Sequence, residues 1–433
     1  MLDHPLTVWP TQGRAVQAVM AEDRQDVMMF AGAGGGKTWI LGALATFLAG
    51  FNPRNVAGLV VTPSYPMARD IVRPTFEQFW DDYGVPYEWR ASDFAYYLPE
   101  SDTPILLRPG DDPYKIRGLT VGWGLHDEAA IQPKLTWQVM MQRIRDPRAT
   151  HRRYAGATTP IGFNWTHEQF VDKPGKYRTH FQWGTKENLA LMREDPDFID
   201  RMASLMSPEL FAQEMEAQFL VVGQGRTYYS FKRQLHLRAF EMEPHLPLGL
   251  CVDFNVAPSV WVVAQGRGTP EQPERAIDEI SVTGDRSTIA ALREFKARYP
   301  QFSKGEGVEV YGDASGQARK TTGYSDFEEI RRALPRARVC VRHKNPYVKD
   351  RVNAVNGLLL DARNRVRAYV HPEKCPRLVR DLEQVRNKEG TFEIDKGNPE
   401  LTHASDAWGY RIHWVHPVLY RVSGTQGARV RAY

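Results

Sequence analysis

The chain has 433 residues, 42% apolar and 25% charged, with a formal net charge of +4. At roughly 150 residues per domain this length predicts two or three cores, and the composition excludes disordered, collagen-like and disulfide-scaffold classes. No apolar run approaches the ~18 residues of a membrane span, and the opening MLDHPLTVWP lacks the regions of a signal peptide, so a cytoplasmic protein without membrane contact is expected.

Taken in chain order, Trp9-Pro10-Thr11-Gln12 stands just upstream of the first expected helix, where the Gln12 amide can meet an adenine edge. A short apolar strand follows at 27–30, then FAGAGGGKTW, then an apolar-periodic helix ending at Gly50. Gly32, Gly34, Gly35 and Gly36 crowd five positions, as a backbone does where it turns sharply or lets a large group come close. Bare N–H groups opening onto a helix N-terminus form an anion nest, and Lys37 and Thr38 add a cation and a hydroxyl. The pattern G-x-x-x-x-G-K-[ST] is met at Gly36-Lys37-Thr38, while Ala31 holds its first position.

Further strands are expected at 57–61, 105–107, 121–125 and 152–157, with helices between them. GLHDEAA ends the fourth of these five, the 27–30 strand included, with Asp127 for a magnesium shell and Glu128 to polarise water. AGATTP follows, and there Thr158 and Thr159 can sense a γ-phosphate. Residues 161–245 read as irregular apart from a helical stretch around SPELFAQEMEAQFLV, and the domain junction falls near residues 223–246.

Beyond it, strands are expected at 248–254, 259–265 and 276–282 as an antiparallel meander, followed by a helix at 287–299, a strand in VEVYGDAS and later helices. Asp253, Asp313 and Asp406 stand at strand ends or a helix start. Convergent buried carboxylates are stabilised by divalent cations, and two ions about 4 Å apart can activate water for phosphodiester cleavage. Aspartates on a first strand, a fourth strand and a late helix are the arrangement of ribonuclease H-like nucleases. His403, one helical turn before Asp406, can shape the site or shuttle protons; Glu279 is a weaker candidate. Cys251, Cys340 and Cys375 have neither disulfide nor zinc spacing and are expected to be reduced packing residues.

Charge is uneven along the chain. From His245 onward there are 30 Lys+Arg against 23 Asp+Glu, and before it 26 against 29. The run RHKNPYVKDR (342–351), the Arg363, Arg365, Arg367 cluster and a tail with Arg411, Arg421, Arg429 and Arg431 concentrate the excess, which suits a phosphate backbone.

The ordered set of Gln12, AGAGGGKT, LHDEAA, GATTP, VDFN, YGDASG and HASDA resembles the large terminase subunit of tailed phages over nearly the whole chain. The resemblance implies an α/β protein: an N-terminal P-loop ATPase domain of the ASCE type (1–222, with a lid or linker region from about 161), a linker (223–245), a ribonuclease H-like nuclease domain (246–415) and a basic tail (416–433). It implies an ATP-driven motor that moves viral double-stranded DNA through the portal into a procapsid, and a metal-dependent endonuclease that cuts the concatemer. Lys37, Thr38 and Asp127 would bind ATP and Mg2+, with Glu128 as catalytic carboxylate and Thr158 and Thr159 in the coupling motif. Asp253, Asp313 and Asp406 would bind Mg2+ or Mn2+, with His403 adjacent. A ring of five subunits is implied, monomeric when free, in which Arg117 completes a neighbour's site in competition with Arg143 and Arg145. The small terminase subunit would select DNA, in the cytoplasm of a bacterial host. A helicase or repair ATPase, a strand-transfer enzyme and a nucleotide-gated DNA-binding protein without cleavage stay open as alternatives.

Overall fold

A computed structural model describes residues 2–417, except 4, 24–25, 100–101, 221–224, 255–258, 283–286, 319–322 and 389–392. The chain forms two compact units, one of residues 1–199 and 212–222, the other of 200–211 and 223–433. Arg421, Arg429 and Arg431 of the basic tail lie outside the described residues.

In the first unit, helix α1 (Pro10–Met20) precedes β1 (Asp26–Ala31), and helix α2 (Lys37–Phe51) follows the glycine turn. Then come β2 (Gly58–Thr62), β3 (Glu88–Arg90), β4 (Ala95–Leu98), β5 (Thr103–Pro109), β6 (Trp123–Asp127), β7 (Arg153–Thr158) and β8 (Arg178–Trp183). They make one sheet in the order β3-β4-β5-β2-β6-β7-β1-β8. The five strands read from the sequence are its parallel centre. β1 shows why. Val27, Met29 and Ala31 join the core on one face, and Met28 and Phe30 join that on the other. A strand apolar on both sides has to be sandwiched between layers, which the crossover helices supply.

Both sheet edges depart from expectation. β3 and β4 pair antiparallel and extend the sheet beyond β5. β8, inside the stretch read as irregular, lies parallel to β1 from Asp26↔Arg178 to Ala31↔Trp183. Its RTHFQW has one fully buried residue, Trp183, so its side chains carry little core signal.

The second unit holds β9 (Leu248–Val252), β10 (Ser259–Gln265), β11 (Glu274–Val282), β12 (Val308–Gly312), β13 (Arg338–Cys340) and β14 (Ala368–Val370), in the order β13-β12-β9-β10-β11-β14. β9, β10 and β11 form the antiparallel meander, with β12 parallel to β9. Leu248, Leu250 and Val252 enter the core with helices Thr288–Arg298 and Asp326–Ala333, while Cys251 enters the opposite core with Val348–Leu359, Pro376–Gln384 and His403–Val415. All three cysteines are free and buried.

The described part of the expected linker is packed into this unit. Tyr228 and Phe231 are buried in its core, and the Asn356 amide donates to the Thr227 carbonyl and accepts from the Ser230 N–H. Among the described residues no helix is long and apolar enough to cross a membrane.

Candidate active sites

The first site lies where β1, β6 and β7 end side by side. Parallel register sets Phe30 against Thr158 and Asp127 against Ala157, so the glycine turn, the acidic pair and the threonines leave the sheet together. Gly34 and Gly36 have φ of 74° and 78°, the left-handed region that glycine enters without cost. A Cβ on Gly36 would come within 2.8 Å of the Gln12 amide nitrogen. From this turn α2 starts at Lys37, and the N–H groups of its first turn have no intrahelical acceptors, as an anion site requires.

The side chains follow. The buried Lys37 ammonium donates to Thr159 Oγ1 at 2.7 Å and to the Ala31 and Gly32 carbonyls at 3.2 and 3.3 Å, and it lies 3.6 Å from Glu128. Thr38 donates to Asp127 Oδ1 at 3.1 Å. Burial, with Glu128 beside it, pushes the Asp127 carboxyl up to about 7. The buried Asp127 carboxylate, already holding the Thr38 hydroxyl, fits a divalent cation as donor pair with it.

Glu128 has φ 47° and ψ 49°, left-handed for a residue with a side chain. Such strain of order 1–3 kcal/mol persists where the surroundings over-determine it. Here the twist aims the carboxylate at β7, 3.4 Å from both Thr158 Oγ1 and the Thr159 N–H. Gln132 fixes the other side by donating to the Asp127 carbonyl at 2.8 Å. His126, unexpected in such a strand, is fully buried against the Tyr154 hydroxyl at 3.1 Å, and burial holds its pKa down to about 4.

Gln12 sits inside α1, buried, donating to the Gly35 carbonyl at 3.1 Å and accepting from the Trp9 N–H, so its amide braces the glycine turn. Three residues that the sequence left in irregular chain brace it as well: Trp183 donates to the Gly35 carbonyl, Thr185 to Ala33 and Asn188 to Gly34. Arg117 is not gathered with this cluster. It is exposed, its guanidinium lies 4.4 Å over the Tyr114 ring, and its carbonyl accepts from Arg143.

The second site gathers at the ends of β9 and β12 and the start of helix His403–Val415. Asp253 follows β9, and its Oδ2 meets His403 Nδ1 at 3.2 Å. Burial raises the Asp253 pKa and the hydrogen bond to Asp253 raises that of His403. Asp313 behaves oppositely. Its desolvation is outweighed by hydrogen bonds from the Ser315 N–H (2.6 Å), the Asn345 amide (2.8 Å) and the Tyr410 hydroxyl (3.2 Å), which hold it below the ordinary range.

Asp406 is held by Arg351, which is buried, 2.8 Å away and seated 4.5 Å from the Tyr410 ring. Although in contact as an ion pair, Arg351 Nη1 and Asp406 Oδ1 are buried without a hydrogen-bond partner of good geometry. A carboxylate oxygen held by charge without a well-formed hydrogen bond, beside a desolvated Asp253, fits a cation that takes the place of the guanidinium. Among the described residues no three His, Cys, Asp or Glu side chains are already close enough to hold one ion. Arg351 was visible in the sequence only as part of a basic run. Glu279 is structural: its carboxylate accepts the Arg377 and Leu378 N–H groups and caps that helix. Asp381, unremarked in the sequence, is buried, accepts the Ser405 N–H at 3.0 Å and is pushed up to about 6 by burial.

A P-loop ATPase unit followed by a ribonuclease H-like nuclease unit is the class these two sites and sheets define. Residues 28–234 match the family model for the terminase large subunit, T4likevirus-type, N-terminal, and residues 286–412 match that for the terminase RNaseH-like domain. The chain belongs to the large terminase family and is an ATPase and nuclease of a phage DNA-packaging motor. The large terminase of a thermophilic bacteriophage has the same fold, with TM-score 0.65 at 15% identity over 94% of this chain and 99% of that one. The same phage protein in complex with ADP gives TM-score 0.64 at 16% identity over 94% and 99%, and in complex with ATP-gamma-S 0.62 at 16% over 95% and 99%. No curated protein matches the chain.

Proposed function

We propose that this chain binds ATP with magnesium at the β1–α2 turn, hydrolyses it to drive double-stranded viral DNA through a portal into a procapsid, and cuts the concatemer at the Asp253, Asp313 and Asp406 site. The observation that carries the motor half is the convergence of Lys37, Thr38, Asp127, Glu128 and Thr159 at three adjacent strand ends. Lys37 neutralises the terminal phosphates, and Thr38 and Asp127 hold the magnesium. Glu128 accepts a hydrogen bond from the attacking water and aligns it. Hydrolysis removes the group that competes with Glu128 for Lys37 and Thr159, so the Thr158-Thr159 turn is the element through which phosphate loss reaches the rest of the unit. Arg117, exposed and outside its own site, is free to serve a neighbouring copy in a ring of five.

In the nuclease unit, Asp253, Asp313 and Asp406 hold divalent ions, magnesium or manganese. Two such ions supply the Lewis acidity that activates water and stabilises the departing oxygen. His403 keeps the Asp253 carboxylate oriented by its Nδ1 contact while its Nε2 meets the Pro399 carbonyl at 2.8 Å. Partners follow from the same account: duplex DNA, the portal and the small terminase subunit, met in the host cytoplasm. The test is cleavage of supercoiled plasmid by wild type and Asp253→Ala with manganese, magnesium or chelator, in parallel with DNA-stimulated ATP hydrolysis. Metal-dependent nicking by wild type alone, together with ATPase activity in both proteins, is expected. Nicking that survives Asp253→Ala would remove the carboxylate site.

A further inference from the structure

The basic run 342–351 is not spread over a remote surface. After β13 the chain forms a loop that is tied to the turn carrying Asp313. Asn345 donates to Asp313 Oδ1 and accepts from the Ala314 N–H, both at 2.8 Å, and Gln317 donates to the Arg342 carbonyl at 2.9 Å. At its other end the loop enters helix Val348–Leu359, whose first turns carry Arg351 to Asp406. The loop is thereby bracketed by two of the three acids. Between the brackets, His343, Lys344, Asn345 and Tyr347 are exposed, Tyr347 by 76%. Arg342 lies 5.6 Å over the Trp414 ring, and with Arg351 it adds to the burial that holds His413 at about 4. One acid, Asp350, sits in the run and is raised by its own burial.

Cations presented on a rigid loop at the lip of a carboxylate site have one evident use. The acids without cations repel a phosphodiester, and cations beside them hold the phosphates flanking the scissile bond by opposite charge.

We propose that loop 342–347, through Arg342 and Lys344, is the wall of the nuclease site that grips the phosphates of duplex DNA flanking the scissile bond, and that Asn345 sets its distance from Asp313. This rests on the nuclease reading of the three aspartates. The test measures binding of a DNA duplex by the full chain in chelator, across a salt series, for wild type, Arg342→Ala/Lys344→Ala and Asn345→Ala. Each phosphate contact contributes ~0.9 to the slope of log K against log salt, so the double variant should lose about 1.8 from its magnitude. With manganese it should show a raised KM for plasmid cleavage. Asn345→Ala, which keeps the charge, should retain the wild-type slope and lose cleavage rate.

A double variant with the wild-type slope and an unchanged thermal midpoint would overturn the proposal. So would an Asn345→Ala slope as shallow as that of the double variant, because loop folding rather than charge would then account for binding. Failure of wild type to cut plasmid with any metal would instead sink the nuclease reading, which the metal-free slopes do not measure.

Discussion

The two sites handle buried charge in opposite ways. In the ATPase unit the cation and the anions belong to one mutually bonded set, Lys37 with Thr159 and Glu128, Thr38 with Asp127. In the nuclease unit each aspartate has its own separate partner: His403 for Asp253, Asn345 and Tyr410 for Asp313, Arg351 for Asp406. The first site is pre-organised because three parallel strands in fixed register deliver it. The second is assembled from a strand end, a turn and a helix start, and protein donors occupy its carboxylates. Ligand entry at the first changes the partners of one lysine, whereas cation entry at the second has to compete with an arginine and an amide.

Deleting one charge in each unit separates the two arrangements most strongly. Lys37→Ala should lower ATP hydrolysis by about 10³-fold or more while leaving metal-dependent plasmid cleavage, since electrostatic stabilisation of the transferred phosphoryl group is lost and nothing at the nuclease site is touched. Asp313→Ala should do the reverse. Both rates are measured on the same preparations, and loss of both activities in either variant would show that the sites are not separable.

Arg351→Gln comes next in size. Removing one partner of a buried ion pair leaves an uncompensated charge and costs about 3–5 kcal/mol. Denaturant midpoints should fall accordingly, and manganese should raise the midpoint of the variant by more than that of wild type, since the ion then meets Asp406 without a competing guanidinium. An equal manganese shift in both proteins would mean that Arg351 does not compete for that carboxylate.

How much of this was legible in the sequence follows the same division. The central parallel strands, the glycine turn and the Asp127-Glu128 pair are local signals, because continuous apolar runs and crowded glycines are written in consecutive residues. β8 was not legible, since its partly exposed side chains alternate without a clear apolar face and only pairing with β1 makes it a strand. Trp183, Thr185 and Asn188 were lost with it, although they brace the glycine turn. Gln12 stood out from its place before the first helix, but its bond to the Gly35 carbonyl is a contact only the fold displays. In the second unit Asp253 and Asp313 stood out at the ends of apolar strands. Arg351 and Asp381 did not, because a buried charge within a helix looks like any surface charge until the fold shows which way it faces.

The smallest effect concerns pH and the second unit alone. The His416 ring meets the Arg267 carbonyl at 2.7 Å, and burial, with Arg367 and Arg411 nearby, pushes its pKa down to about 4. An unfolded histidine titrates near 6.5, so between about pH 6.5 and 4 the unfolded chain binds the extra proton. The stability gained from keeping this ring neutral is therefore fully present above pH 6.5 and is lost as pH falls towards 4. A pKa unit is worth about 1.4 kcal/mol, and with the discount for a partly exposed ring the loss is about 1–2 kcal/mol. His416→Gln keeps an amide donor for the Arg267 carbonyl and removes the titration. The slope of unfolding free energy against pH in that window should flatten by this amount, measured with urea on the full chain, while Asp127, in the other unit and pushed up rather than down, gives the opposite sign: its burial favours the protonated form and disfavours folding as pH rises towards 7. An unchanged slope for His416→Gln would show that the ring is solvated enough to titrate as it does in the unfolded chain.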